Sequence, residues 1–87
     1  MPTDVPVFAH AADVTLDVTS LRCPMPLLKT RQQLRTLAPG SILRVRACDP
    51  GARRDIPAWL RQTGHQLVHS VEVDGVFEFF IRVEETG

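Results

Sequence analysis

Cys23 is followed by Pro24, Met25 and Pro26, and this Cys-Pro-x-Pro run leads into a leucine-bearing segment with helical spacing. A cysteine at a helix start is placed for sulfur chemistry, because the thiolate is the nucleophilic form and the positive end of the helix dipole favours an anion. An ordinary thiol has a pKa of about 8.5, and helix N-termini can lower it enough to populate the thiolate at neutral pH. With Cys23 at or beside the N-cap, Pro24 takes N1 and Pro26 takes N3, where a missing N–H costs little. The prolines also remove two donors, so the Met25 N–H is expected to be the main free donor of that turn, with Arg22 adding positive charge. A fixed, partly exposed thiolate can attack a persulfide on another protein, hold the sulfur as Cys–S–SH, and pass it to the next thiol. That chemistry needs no metal and no organic cofactor. From position alone, a small apolar cysteine at a helix start fits about as well, since free Cys is usually buried and inert. The paired prolines shift the balance toward function.

The other reactive side chains carry weaker signals. Cys48 precedes Asp49-Pro50-Gly51, and the two cysteines, Cys23 and Cys48, form neither a disulfide framework nor a zinc half-site. If strands of a right-handed β-α-β unit end near both cysteines, Cys48 and Asp49 share the edge of Cys23 as secondary candidates. The plainer expectation for Cys48 is a core residue at a strand end. His10, His65 and His69 lack metal-ligand spacing, and Trp59 reads as core. Lys29, Arg31, Arg35, Arg53, Arg54 and Arg61 read as solvated helix charges, while Asp49 and Asp55 are expected to cap or precede the second helix.

The elements that must position these groups follow from periodicity. Val14, Leu16 and Val18 alternate with Thr15, Asp17 and Thr19, which predicts a first strand. Leu27, Leu34, Leu37 and Ala38 make a helical stripe that Pro39-Gly40 stops. Ser41 to Cys48 alternates again as a second strand. A second helix is expected over Ala52 to Thr63, with Pro57 early in it because proline is disfavoured beyond the first turn. Leu67 to Val73 and Phe77 to Val83 then form a hairpin around Asp74-Gly75. If Val71 and Val73 share the inward face of Phe77 and Phe79, the turn must hold three residues, Asp74-Gly75-Val76. The order β-α-β-α-β-β, with a parallel crossover, implies a two-layer α/β sandwich: a four-stranded mixed sheet covered on one face by two helices.

The chain has 87 residues, 44% of them apolar and 23% charged, which suits one globular domain over 13–87 behind a loose leader, 1–12. In that leader Val5, Val7 and Phe8 could dock on the sheet. Ten basic residues balance ten acidic ones, so no global field draws the protein to nucleic acid or an anionic membrane. No signal peptide or spanning segment is evident, and the cytoplasm is the expected location.

The segment Leu16-Asp17-Val18-Thr19-Ser20-Leu21-Arg22-Cys23-Pro24-Met25-Pro26 resembles the opening of the TusA/SirA family of sulfur carriers. The likeness continues through Leu37-Ala38-Pro39-Gly40, Cys48-Asp49-Pro50 and Asp55-Ile56-Pro57 into Ile81-Arg82. It implies a fold like the C-terminal domain of bacterial translation initiation factor 3 and a persulfide on Cys23, positioned by Arg22, Pro24, Met25 and Pro26. It also implies protein partners: a cysteine desulfurase or rhodanese-like donor, and acceptors in tRNA thiolation, molybdenum cofactor synthesis or sulfur oxidation. A monomer is expected. Ser20 stands where many members have Gly, and Cys48 where an acidic or small residue is common. Two rival functions share the fold, a non-catalytic docking or regulatory module and a small RNA-binding domain. The neutral charge and the lack of an aromatic stacking run weigh against RNA.

Overall fold

The pleat of each strand sorts its side chains into two sets, and the apolar sets line up across the sheet. The computed structural model describes residues 12–85. Strands β1 (Val14–Val18), β2 (Ile42–Ala47), β3 (Gln66–Val73) and β4 (Val76–Arg82) form one sheet in the order β1-β2-β4-β3. The β1–β2 pair is parallel and the β2–β4 and β3–β4 pairs are antiparallel. Cross-strand rows therefore bring together Leu16, Val45 and Phe79, and next to them Val18, Ala47 and Phe77. All but Leu16 are buried, and Leu43 and Ile81 extend the same layer.

Two helices, α1 (Met25–Leu34) and α2 (Pro50–Leu60), close this core. Helix α1 buries Pro26, Thr30 and Leu34, which stand four apart and so share one face. Thr30 tolerates full burial because its hydroxyl donates to the Pro26 carbonyl at 2.8 Å. Helix α2 contributes Ala52, Ile56 and Leu60. The expected two-layer sandwich is the architecture observed; the expected leader falls almost wholly outside the described residues.

Several local expectations are corrected. Helix α1 stops at Leu34, short of Leu37, because the Thr36 N–H donates to the Gln33 carbonyl in a tighter i→i−3 bond and the Thr36 hydroxyl donates to the same carbonyl. Leu37 still packs on the core from beyond the helix, whereas Ala38 is exposed. Helix α2 begins earlier than expected, at Pro50, since Asp49 caps it. That start places Pro57 well inside the helix, where its missing N–H removes the bond to the Arg53 carbonyl.

The hairpin reverses the parity argument. Val73 pairs with Val76 across a two-residue turn, Asp74-Gly75, in which both residues have positive φ, 52° and 81°. That is the backbone a type I′ hairpin demands, and Asp-Gly suits it. Val71 and Val73 therefore oppose Glu78 and Val76, on the face away from Phe77 and Phe79. The odd residue sits instead in β3, as an irregularity at Val68 that lets Leu67 oppose Ile81 on the core side.

On the face away from the helices, Glu78 accepts from Arg44 at 2.8 and 3.1 Å and from Arg46 at 3.2 Å, and Arg46 also reaches Asp17 at 3.4 Å. The Arg44 hydrogen bonds, with Arg46 assisting, hold the Glu78 carboxyl below its ordinary range despite the opposing effect of burial. Because the folded-state value is depressed, this stabilisation is present above the ordinary Glu value of about 4.3 and is lost as pH falls through the lowered one. Glu78→Gln should thus cost about 1 kcal/mol at pH 7. Urea melts of the two proteins should converge only once pH has fallen below the lowered Glu78 value.

Candidate functional site

The sulfur sits where the chain passes from β1 into α1. After Val18 the backbone turns through a Leu21 N–H bond to the Val18 carbonyl at 3.0 Å. Ser20 manages this turn without the left-handed conformation that glycine would serve, since Asp74 is the non-glycine residue with positive φ among the described residues. Cys23 lies one residue before the N-cap, which is Pro24, and Pro26 takes N2. Each proline is therefore one place nearer the start than expected, still where an N–H is dispensable. The Cys23–Pro24 peptide is cis. The Met25 N–H is not the free donor expected: it is spent on the Arg22 carbonyl at 2.8 Å, closing the turn that carries Cys23. Arg22, Cys23 and Pro24 are exposed, and so are the apolar side chains of Met25 and Leu28 beside them.

Helix α2 supplies the other wall. The Cys23 thiol points to Asp55, with Sγ 3.8 Å from Oδ2. Asp55 is neither a cap nor before the helix, as expected, but one turn inside it, its other oxygen 3.7 Å from Arg54 Nε. A β-carbon on Gly51 would lie 3.5 Å from Cys23 Sγ and 2.8 Å from Asp49 Oδ2, so the sulfur and the Asp49 carboxylate flank the same point of backbone. Asp49 meets the capping expectation, accepting from the Ala52 N–H at 3.1 Å. Around the thiol, Pro24, Pro26, Leu27, Ala52 and Asp55 line a narrow crevice. Asp55 is the site residue that sequence reasoning missed. Its spacing of four from Gly51, which places both on one side of α2, was the available signal.

Cys48 is a correction of another kind. It is exposed rather than a core residue at a strand end, and both cysteines are free. β1 and β2 are neighbours, and Cys48 follows Ala47, which pairs with Val18. The two cysteines thus leave the same edge of the sheet, yet Cys23 turns its sulfur toward α2. Some helix charges have partners: Arg53 meets Glu72 at 3.5 Å and lies over Phe77, and Arg31 lies over Trp59. A groove of about 630 Å³ lies at the C-terminal ends of the helices, lined by residues such as Arg35, Trp59 and His65. There the Glu84 N–H donates to His65 Nδ1 at 3.1 Å. Among the described residues no group of three His, Cys, Asp or Glu could hold a metal, and no helix is long and apolar enough to cross a membrane.

An exposed cysteine in a Cys-Pro-x-Pro turn, on a four-stranded α/β sandwich, is the arrangement to set beside known proteins. The sequence model of the sulfurtransferase TusA family matches residues 14–83, nearly all of the described chain. The chain belongs to the TusA family. It is 44% identical over 73 residues to the sulfur carrier protein TusA of Pseudomonas aeruginosa, covering 84% of this chain and 92% of that one. A putative sulfur carrier protein of Neisseria meningitidis is 46% identical over 68 residues, 78% of this chain and 92% of its own. The crystal structure of a SirA-like protein from Desulfitobacterium hafniense superposes with a TM-score of 0.72 at 26% identity, covering 83% of this chain and 99% of that one. Membership of the TusA family places the chain among sulfur carriers, transferring sulfur in the broad sense and working with proteins that give and accept it.

Proposed function

We propose that Cys23 is the carrier atom and that the chain relays sulfur as a persulfide. The supporting observation is the exposed Cys23 thiol, held by the closed Arg22–Met25 turn at the start of α1, inside the segment that matches the TusA family. In loading, the Cys23 sulfur attacks the outer sulfur of a donor persulfide. A new S–S bond forms as the donor's S–S bond breaks, its electron pair leaves on the donor thiolate, and the Cys23 proton is given up to offset the one that thiolate takes. Unloading reverses the roles, with an acceptor thiolate attacking the outer sulfur and Cys23 leaving. No net oxidation occurs and no cofactor is consumed.

The donor class is a cysteine desulfurase or rhodanese-like protein, and the acceptors belong to tRNA thiolation, molybdenum cofactor synthesis or sulfur oxidation. A monomer in the cytoplasm suits such traffic. Arg22, Pro24, Met25 and Pro26 position the thiol and shape the surface a partner meets. Mass spectrometry after incubation with a cysteine desulfurase and cysteine should show one added sulfur on the peptide containing Cys23. Sulfur found elsewhere, or nowhere, would remove the relay. Cys48→Ala should load to full yield, since the Cys23 thiol faces Asp55 and Gly51. A large drop in that variant would give Cys48 a part in the transfer.

A further inference from the structure

The contact between Cys23 and Asp55 bears on the charge state of the sulfur. An S–H can donate to a carboxylate, and the 3.8 Å between Sγ and Oδ2 is within reach of such a bond. A thiolate in the same place would have no proton to donate and would set a second negative charge against the first. Asp49 adds to this, its Oδ2 and the sulfur both lying against Gly51. At the start of α1, Pro24 and Pro26 have no N–H to offer the sulfur, and the Met25 N–H is bound to the Arg22 carbonyl. Arg54, the cation on Asp55, meets the oxygen turned away from the thiol contact, at 3.7 Å, and its side chain is 84% exposed.

We propose that Asp55 is a charge gate on Cys23: its carboxylate holds the resting sulfur as a hydrogen-bonded thiol and restrains its reaction with stray electrophiles and oxidants. Asp55 is a positioning residue, acting through Cys23. This deepens the assignment of Cys23 as the carrier and rests on it for biological meaning, though the electrostatic effect is independent of any sulfur donor. The expected size follows from geometry. Two like unit charges about 4 Å apart in water-like surroundings disfavour each other by about a factor of five in an equilibrium constant. The water-like limit applies because the Asp55 side chain is 38% exposed.

The test is the rate of iodoacetamide alkylation at Cys23 in the full chain without sulfur donor, read by mass spectrometry of its peptide so that Cys48 does not contribute. At pH 7, Asp55→Asn should react about five times faster than the native protein. Asp55→Glu, which keeps the charge, should stay near the native rate. An Asn variant that reacts at the native rate would overturn the gate. A slower Asn variant would overturn it too, showing the carboxylate to be a base that assists ionisation. So would a Glu variant as fast as the Asn one, which would trace the effect to shape. Because no persulfide is involved, failure here leaves the relay standing, and failure of persulfide loading leaves this result standing.

Discussion

Cys23→Ser should accept no sulfur from a cysteine desulfurase while melting at nearly the temperature of the native protein. The loss should be complete because a hydroxyl neither ionises in the useful range nor forms the S–S bond in which the cargo is held. The fold should be indifferent for a separate reason. Cys23 is exposed, and its backbone is fixed by the Arg22–Met25 turn rather than by its side chain. Serine keeps the size of the side chain and can donate to Asp55 in its place, so the stability change should stay within about 0.5 kcal/mol. The measurement pairs the mass of the protein after incubation with desulfurase and cysteine with a thermal melt of the same preparation. Loading of the Ser variant at the native yield would exclude Cys23 as the carrier. Loss of the cooperative melt would instead give the side chain a structural role.

Ile56→Ala should be the most damaging single truncation for the fold. Ile56 is wholly buried, and with Ala52 and Leu60 it forms the face that holds α2 on the sheet. Removing its branched side chain from a packed core costs about 2–5 kcal/mol, combining lost transfer energy with the cavity left behind. Domains of this size have only about 5–15 kcal/mol in total, and the melting temperature should fall by at least about 10 °C. The helix already lacks one backbone bond at Pro57, directly after Ile56, so side-chain packing carries more of its anchoring. Asp55 precedes Ile56, and the wall of the thiol crevice depends on the same contact. A denaturant titration that shows less than about 1 kcal/mol would mean that the core closes over the missing side chain.

Residue types and their spacing were enough to mark Cys23, to place the strands and helices, and to expect a mixed sheet under two helices. Those inferences rest on local physics. Alternation at Val14, Leu16 and Val18 determines which strand face is buried, Asp49-Pro50-Gly51 and Pro39-Gly40 punctuate the chain, and a Cys-Pro-x-Pro run constrains its own turn. The hairpin shows where such reasoning ends. Asp74-Gly75 favoured a two-residue turn, yet alternation required three, and the contradiction was relieved six residues before Asp74, at Val68, by a strand irregularity that leaves no distinctive residue behind. The site divides in the same way. The turn around Cys23 is local and legible, but the Met25 N–H looked free until its bond to Arg22 was seen. Asp55 stands thirty-two residues from Cys23. Only the packing of α2 beside α1 brings that carboxylate to the sulfur, since the distance between them is set by the core beneath both helices and by no spacing within either segment.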